Sequence, residues 1–225
     1  MQKKGFTLAE TLITMVIVGV VAAITIPLMV VNFQKEETVT RLKKAYSSIC
    51  QTTNKAQADY GSIPTWTIND TSAESALDFV NTYIAPYMRI TKAPTTYAQG
   101  GWDNVYYGLN KTRYTYPSNA VRFYLDDGTS ITTKFAEANR LTVEIDINGD
   151  RKPNKYGRDK FEMNYCVQRS TLCGLLGLIP DQFHLTREDL LSTSNTYRCN
   201  KARTGHECLA VIIKDGWQIK DDYPW

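Results

Sequence analysis

The residues with the clearest chemical potential lie in "DINGDRKPNKYGRDKF", positions 146–161. Asp146, Asn148 and Asp150 alternate as the first oxygen ligands of a calcium loop do, and Asn154 and Asp159 are spaced to complete a cage for a hard cation, Ca2+. The run departs from an EF-hand: Gly149 comes too early, Gly157 stands where a bidentate acid belongs, and no second helix follows. The competing reading is a long polar turn, in which Asn148-Gly149 takes positive backbone angles, Asp150 and Asp159 stay hydrated, and Phe161 anchors the returning strand. Elsewhere the chemistry is sparse. The two histidines, His184 and His206, lack a Ser, Cys or carboxylate at a spacing that makes a nucleophile and base, so both read as surface polar residues. Neither a phosphate loop nor a dinucleotide fingerprint occurs, and no catalytic residue is expected.

A different kind of chemistry is written at the front. "GFTLAETLITMVIVGVVAAITIPLMVV", positions 5–31, holds one acid, Glu10, in an otherwise apolar run. A carboxylate on an apolar helix is costly and usually has both a partner and a role. The stretch from Leu12 to Val31 supplies the roughly 20 apolar residues that cross a bilayer. An ordinary secretory signal would use Lys3 and Lys4 as its basic region and Val21-Ala22-Ala23 as its cut site, yet the apolar run continues past Ala23 and Glu10 interrupts its start. An uncleaved anchor fits the length and leaves Glu10 unexplained. Pro27 lacks an N–H and is expected to kink or loosen the helix, and Gly19, Ala22 and Ala23 allow close helix approach.

"KKGFTLAETLITMVIVGVVAAITIP" closely resembles the leader of type IV pilins and type II secretion pseudopilins: a short basic leader, Gly, Phe, a Glu as fifth residue of the processed chain, then an apolar helix. The resemblance implies cleavage by a prepilin peptidase after Gly5, methylation of the new amine on Phe6, and pairing of the Glu10 carboxylate with the terminal ammonium of a neighbouring subunit. In a filament core of low dielectric, an unpaired charge is expensive and a paired one fixes register. It also implies that Pro27 is a point where the helix extends on assembly. The expected partners are like or related pilin subunits, the peptidase and an inner-membrane assembly platform, with the chain single-pass in the inner membrane and its C-terminal domain periplasmic or on the cell surface. Flanking charge alone does not decide that orientation, because Lys35, Arg41, Lys43 and Lys44 follow the span as Lys3 and Lys4 precede it. Some secretion pseudopilins carry calcium in a loop near the position of 146–161, so the resemblance bears on that run too. The alternative from another class is a single-span anchor presenting the domain as a binding or sensor module, a calcium-dependent one if the 146–161 run holds the cation.

These features need elements to hold them. Val39, Leu42, Tyr46, Ile49, Thr53, Ala56 and Tyr60 recur at three- and four-residue spacing, which carries one helix from Phe6 to about Ala58, with Gly61 and Pro64 as breakers. "TSAESALDFVNTYIAPYMRI" predicts a short amphipathic helix with a Thr71–Glu74 capping box. Positions 92–118 show no clear period and read as a long loop that has room for short strands. "VRFYL", "TSITTKF", "LTVEIDI" and "KFEMNYCVQ" read as antiparallel strands, with Leu141, Val143, Ile145 and Ile147 on one face. The "ECLAVIIKDGWQIKDDYPW" ending reads as a short element stopped by Gly216, then a tail whose Trp217, Tyr223 and Trp225 fold back. The layout is α+β, a long N-terminal helix on a small antiparallel sheet, and it is also what the pilin resemblance implies. Its parts are a leader at 1–5, a transmembrane half-helix at 6–31, a soluble half-helix at 32–60 and a globular domain at 61–225.

Net charge is +3, and Lys3 and Lys4 belong to the leader, so the processed chain is close to neutral. No cluster of Lys and Arg is visible along the sequence, and nucleic acid is not an expected partner. The five cysteines lack the close pairs of a structural zinc site and suit an exported domain with disulfides. Cys199 with Cys208, and Cys166 with Cys173, are the expected local pairings, leaving Cys50; spacing alone does not fix the connectivity.

Overall fold

A computed structural model of the chain describes residues 5, 7–103, 105–137, 139–168 and 177–225. Two compact units result, Met1–Glu37 and Thr38–Trp225. Helix α1, Leu8–Tyr60, starts in the first and ends in the second, and it runs through Pro27 without a break. Gly61, at φ 80°, stops it as expected. In the first unit the helix is apolar all round and exposed, Leu12, Ile17, Val20, Ile24 and Leu28 each being more than half accessible. In the second it buries Leu42, Ala45, Ile49, Thr52, Thr53 and Ala56. That stripe follows the expected spacing, although Tyr60 is exposed. Each fully buried aliphatic of this kind contributes about 1.5–3 kcal/mol.

The second helix, α2, covers Ala73–Phe79 and continues into a π-helical turn, Val80–Ile84, and a 3-10 turn, Ala85–Tyr87. Its cap corrects the expectation. Ser72, not Thr71, is the N-cap, and its hydroxyl accepts the Ser75 N–H at 3.1 Å. The stretch read as a long loop with room for short strands holds three of them and a short helix: β1, Ile90–Thr96; α3, Tyr97–Gly100; β2, Val105–Tyr107; and β3, Arg113–Thr115. Strand β1 hides from periodicity because it is an edge strand with a run of exposed residues, 91–93, rather than alternation, and it contains Pro94, in a place where a missing N–H is tolerated.

Four strands follow as read from the sequence: β4, Val121–Leu125; β5, Ser130–Glu137; β6, Arg140–Asp146; and β7, Lys160–Cys166. A short β8, Gly177–Pro180, closes the far edge. The six-stranded sheet has the order β1-β4-β5-β6-β7-β8, antiparallel throughout. Register explains its two faces. Phe123, Ile131, Ile145 and Phe161 form one cross-strand row, and Val121, Thr133, Val143 and Met163 another. These rows join the α1 stripe, Phe79 and Trp66 in the main core, where the Thr53 and Tyr165 hydroxyls hydrogen bond at 2.6 Å. On the opposite face the rows are Arg122, Thr132, Glu144 and Glu162, then Tyr124, Ser130, Asp146 and Lys160. Most of these polar residues are buried as well, under an aromatic cluster of Trp102, Tyr106, Tyr116 and Tyr156. Short helices α4, Arg187–Leu191, and α5, Cys208–Lys214, complete the unit.

Candidate functional site

Two regions carry the functional residues, and the first is the start of α1. Thr7 precedes the helix and Glu10 is its third residue, the spacing of a capping box. The Thr7 N–H and hydroxyl both donate to Glu10 Oε2 at 2.8 Å, and the Glu10 N–H reaches back to Thr7 Oγ1 at 3.3 Å. This local role was legible as Thr-x-x-Glu but was overshadowed by the charge of Glu10. Further along, Thr11, Thr14 and Thr25 return their hydroxyls to the carbonyls of Leu8, Thr11 and Val21, each at 2.9 Å. Their polar atoms are thereby satisfied within the helix, as an apolar solvent requires. Gly5 lies just ahead, and Phe6 is outside the described residues.

The second region is the 146–159 loop. Asp146 and Asp159 are both buried. Asp159 accepts the N–H groups of Asn154 at 2.8 Å and Lys155 at 2.5 Å, and the Asn148 amide donates to it at 3.1 Å. Asp146 accepts the Asn148 N–H at 3.3 Å and lies 3.6 Å from the Lys160 ammonium. Burial pushes the Asp146 carboxyl up to about 7, with Lys160 opposing and Asp159 adding; burial raises Asp159 too. Asp150 separates from this group. Its carboxylate accepts the Tyr124 hydroxyl at 2.8 Å and lies 3.4 Å from Arg122, because β-sheet register brings Arg122 and Tyr124 beneath the turn. Four of the five expected cation ligands are therefore linked or adjacent in the loop, and the fifth serves another contact. Among the described residues no three His, Cys, Asp or Glu side chains are grouped to hold a metal, so a cation here would rely on amide oxygens. Two are present: Asn148 Oδ1 and Asn154 Oδ1 are buried without a hydrogen-bond partner.

Sequence reasoning missed the charged network beside this loop. Glu144 is fully buried, with Lys134 at 2.6 Å, Lys160 at 3.7 Å and the Tyr116 hydroxyl at 2.7 Å. Burial alone would raise its pKa, but the two ammonium groups outweigh burial and hold it low. Glu162 moves the other way, raised by burial and by Asp181. His206 is not a surface residue: its ring stacks on Tyr156 at 4.0 Å and its Nδ1 meets the Thr204 hydroxyl at 2.6 Å. Burial lowers its pKa to about 3, so its 3.9 Å approach to Glu162 is not an ion pair near neutrality. The signal available was the alternation Thr142, Glu144, Asp146 and Lys160, Glu162, Asn164, together with an excess of tyrosine, 14 in all. Alternation alone suggests a wet face; the tyrosines roof it.

Cys199 and Cys208 form a disulfide, as expected. Cys166 is disulfide-bonded, and its expected partner Cys173 lies outside the described residues. Cys50 is free and half-buried. The aromatic tail folds back: Tyr223 is buried and donates to the Gly157 carbonyl at 2.8 Å, and Trp217 meets Tyr46 edge-on at 5.2 Å.

An exposed, capped apolar helix opening an α+β domain with an antiparallel sheet defines a pilin-like protein, and among the described residues this helix is the one long and apolar enough to anchor it in a membrane. Residues 1–26 match the prokaryotic N-terminal methylation motif, which makes this segment type IV pilin- or pseudopilin-like. The chain belongs to a family of unknown function, DUF6613, whose model matches residues 28–225. No curated protein and no solved structure matches it.

Proposed function

We propose that the chain is a structural, non-enzymatic subunit of a type IV pilus or a type II secretion pseudopilus. Prepilin peptidase cuts after Gly5 and methylates Phe6, the helix holds the subunit in the inner membrane, and assembly draws it into a filament with like or related subunits. The observation that carries this reading is the methylation motif over residues 1–26, continuous with a helix whose apolar stretch up to Val31 holds one acid, Glu10, in its first turn. Within a single chain Glu10 caps its own helix; in a filament its charge would meet a neighbour's terminal ammonium, which fixes the stagger of adjacent helices. Mass spectrometry of chain purified from its native membrane should show an N-terminal peptide starting at methylated Phe6. A chain that keeps Met1 refutes processing. Glu10→Gln then separates the two roles, since Gln also serves in a capping box but carries no charge. The variant should be cleaved normally yet be absent from sheared filaments, and a normal filament yield would refute charge pairing.

We also propose that the 146–159 loop takes Ca2+ through Asp146, Asn148, Asn154 and Asp159. Two buried carboxyl groups with raised pKa and two unpartnered amide oxygens are the chemistry a hard cation satisfies. Asp150 stays with Tyr124 and Arg122. Calcium would add positive charge beside both carboxylates, where Lys160 is already shared between Asp146 and Glu144.

A further inference from the structure

Four cations that are scattered in the sequence meet at one surface cavity of about 220 Å³, lined by Lys111, Lys155, Arg158 and Lys201 with Asn110 and Trp225. This corrects the expectation that no basic cluster exists, which followed from reading charge along the chain rather than across the fold. Three loops bring them together, and each junction is a backbone hydrogen bond. The N–H groups of Leu109 and Asn110 donate to the carbonyls of Thr204 and Arg203 at 2.9 Å. Tyr107 and Tyr156 tie the 105–111 and 154–158 segments, the Tyr107 N–H donating to Asn154 and the Tyr156 N–H to Tyr107, again at 2.9 Å. The Cys199–Cys208 disulfide closes the third loop, which carries Lys201. Two glycines permit the close approach. A Cβ on Gly157 would stand 2.9 Å from the Cys208 sulfur, and one on Gly205 would stand 2.7 Å from Leu109 Cδ1, while both residues hold positive φ, 72° and 90°.

Among the described residues no ion pair neutralises the positive charge in this cavity. Asp159, the acid that acts on Lys155 and Arg158, has both oxygens engaged by backbone N–H groups. No ion pair to Lys111, Lys155, Arg158 or Lys201 occurs among the described residues. Two features also orient the cations. The Arg158 guanidinium lies 4.0 Å from the Trp225 ring centre, which fixes its plane, and Lys111 is held in the left-handed region at φ 66°, a conformation that costs free energy for a residue with a Cβ.

We propose that this cavity is a binding site for a multiply charged oxyanion, a phosphate or sulfate ester, gripped by Arg158 and neutralised by Lys111, Lys155 and Lys201. Arg presents a planar fork that matches tetrahedral oxyanions, and the lysines act as point charges around it. The site is independent of the filament reading, since it uses no residue of α1.

The test is isothermal titration calorimetry on the full chain in non-ionic detergent. Pyrophosphate is the phosphate probe, a heparin-derived sulfated disaccharide the sulfated-sugar probe, and acetate at matched ionic strength the control. Saturable one-to-one binding is expected for pyrophosphate, the sulfated disaccharide or both, and not for acetate; the arm that binds identifies the source. Lys155→Ala and Lys201→Ala should each weaken binding about three- to tenfold, as expected for loss of one charge near a dianion at a partly screened surface. Lys201→Glu should abolish it, and Lys92→Ala, on β1, should leave it unchanged. Absence of saturable heat from both probes overturns the proposal, as does wild-type affinity in Lys201→Glu or an equal loss in Lys92→Ala.

Discussion

Glu144→Gln is the sharpest test of how the sheet's polar face is held. The substitution preserves volume and leaves an acceptor for the Tyr116 hydroxyl at 2.7 Å, but removes the charge that Lys134 meets at 2.6 Å and Lys160 at 3.7 Å. The Lys160 side chain is 1% exposed and Lys134 17%, so neither ammonium can turn to bulk water without displacing the Tyr106 and Tyr116 rings, about 5–6 Å from both. Lys160 retains Asp146 at 3.6 Å; Lys134 retains no other ion pair among those described. Stripping one partner from a buried pair costs about 3–5 kcal/mol, which for a domain of this size lowers Tm by roughly 6–20 °C at 2–4 °C per kcal/mol. Thermal unfolding followed by near-ultraviolet circular dichroism reads this directly. Lys134→Met removes the cation that Glu144→Gln leaves unpaired, so Glu144→Gln with Lys134→Met should recover part of the loss, a coupling of about 1–3 kcal/mol. A Glu144→Gln protein that melts within 2 °C of wild type, or a strictly additive double variant, would show that the face is hydrated and that the network contributes little.

Acid should destabilise the domain through His206. Its folded pKa, about 3, lies below the unfolded value of about 6.5, so the unfolded chain binds the extra proton and stability falls as pH drops from 6.5 towards 3. The slope approaches 1.4 kcal/mol per pH unit as an upper bound. His206→Phe keeps the stacking on Tyr156 and should flatten that slope in urea titrations between pH 6.5 and 4.5, whereas equal slopes would refute the assignment. For the loop, Ca2+ at a hundredfold excess over its dissociation constant should stabilise the chain by about 2.7 kcal/mol relative to chelator. Asp159→Asn should erase the difference, and a calcium-independent Tm in the wild type would return the loop to a polar turn.

The long helix, four strands and the Cys199–Cys208 disulfide were legible because each depends on local pattern: three- and four-residue periodicity, strict alternation and a short closed loop. What failed to show was non-local. Strand β1 is defined by pairing with β4, from Ile90 opposite Leu125 to Thr96 opposite Val121, and nothing within "ITKAPTT" announces that partner. The cap of α2 went to Ser72 rather than Thr71, a one-residue error typical of a run where both side chains suit the role. Burial of Glu144, Lys160 and His206 is invisible from their own segments because it is imposed by Trp102, Tyr106, Tyr116 and Tyr156, which arrive from two other places in the chain.

The same reasoning separates the two ends of this molecule. At the N-terminus the functional information is linear: Thr7, Glu10 and the apolar run act through one helix, so their spacing is their geometry, and a motif of 26 residues suffices to identify them. In the globular unit Lys111, Lys155 and Lys201 become neighbours only after the 105–111, 154–158 and 199–208 segments have been joined by backbone hydrogen bonds and a disulfide. A charge cluster of this kind carries no motif, and its like charges oppose the fold that assembles it. These charges are gathered in a chain whose net charge is only +3. Repulsion concentrated in one cavity, in an otherwise nearly neutral protein, is relieved by an anion, which is why that cavity rather than the more regular sheet is where this domain should meet an anionic ligand.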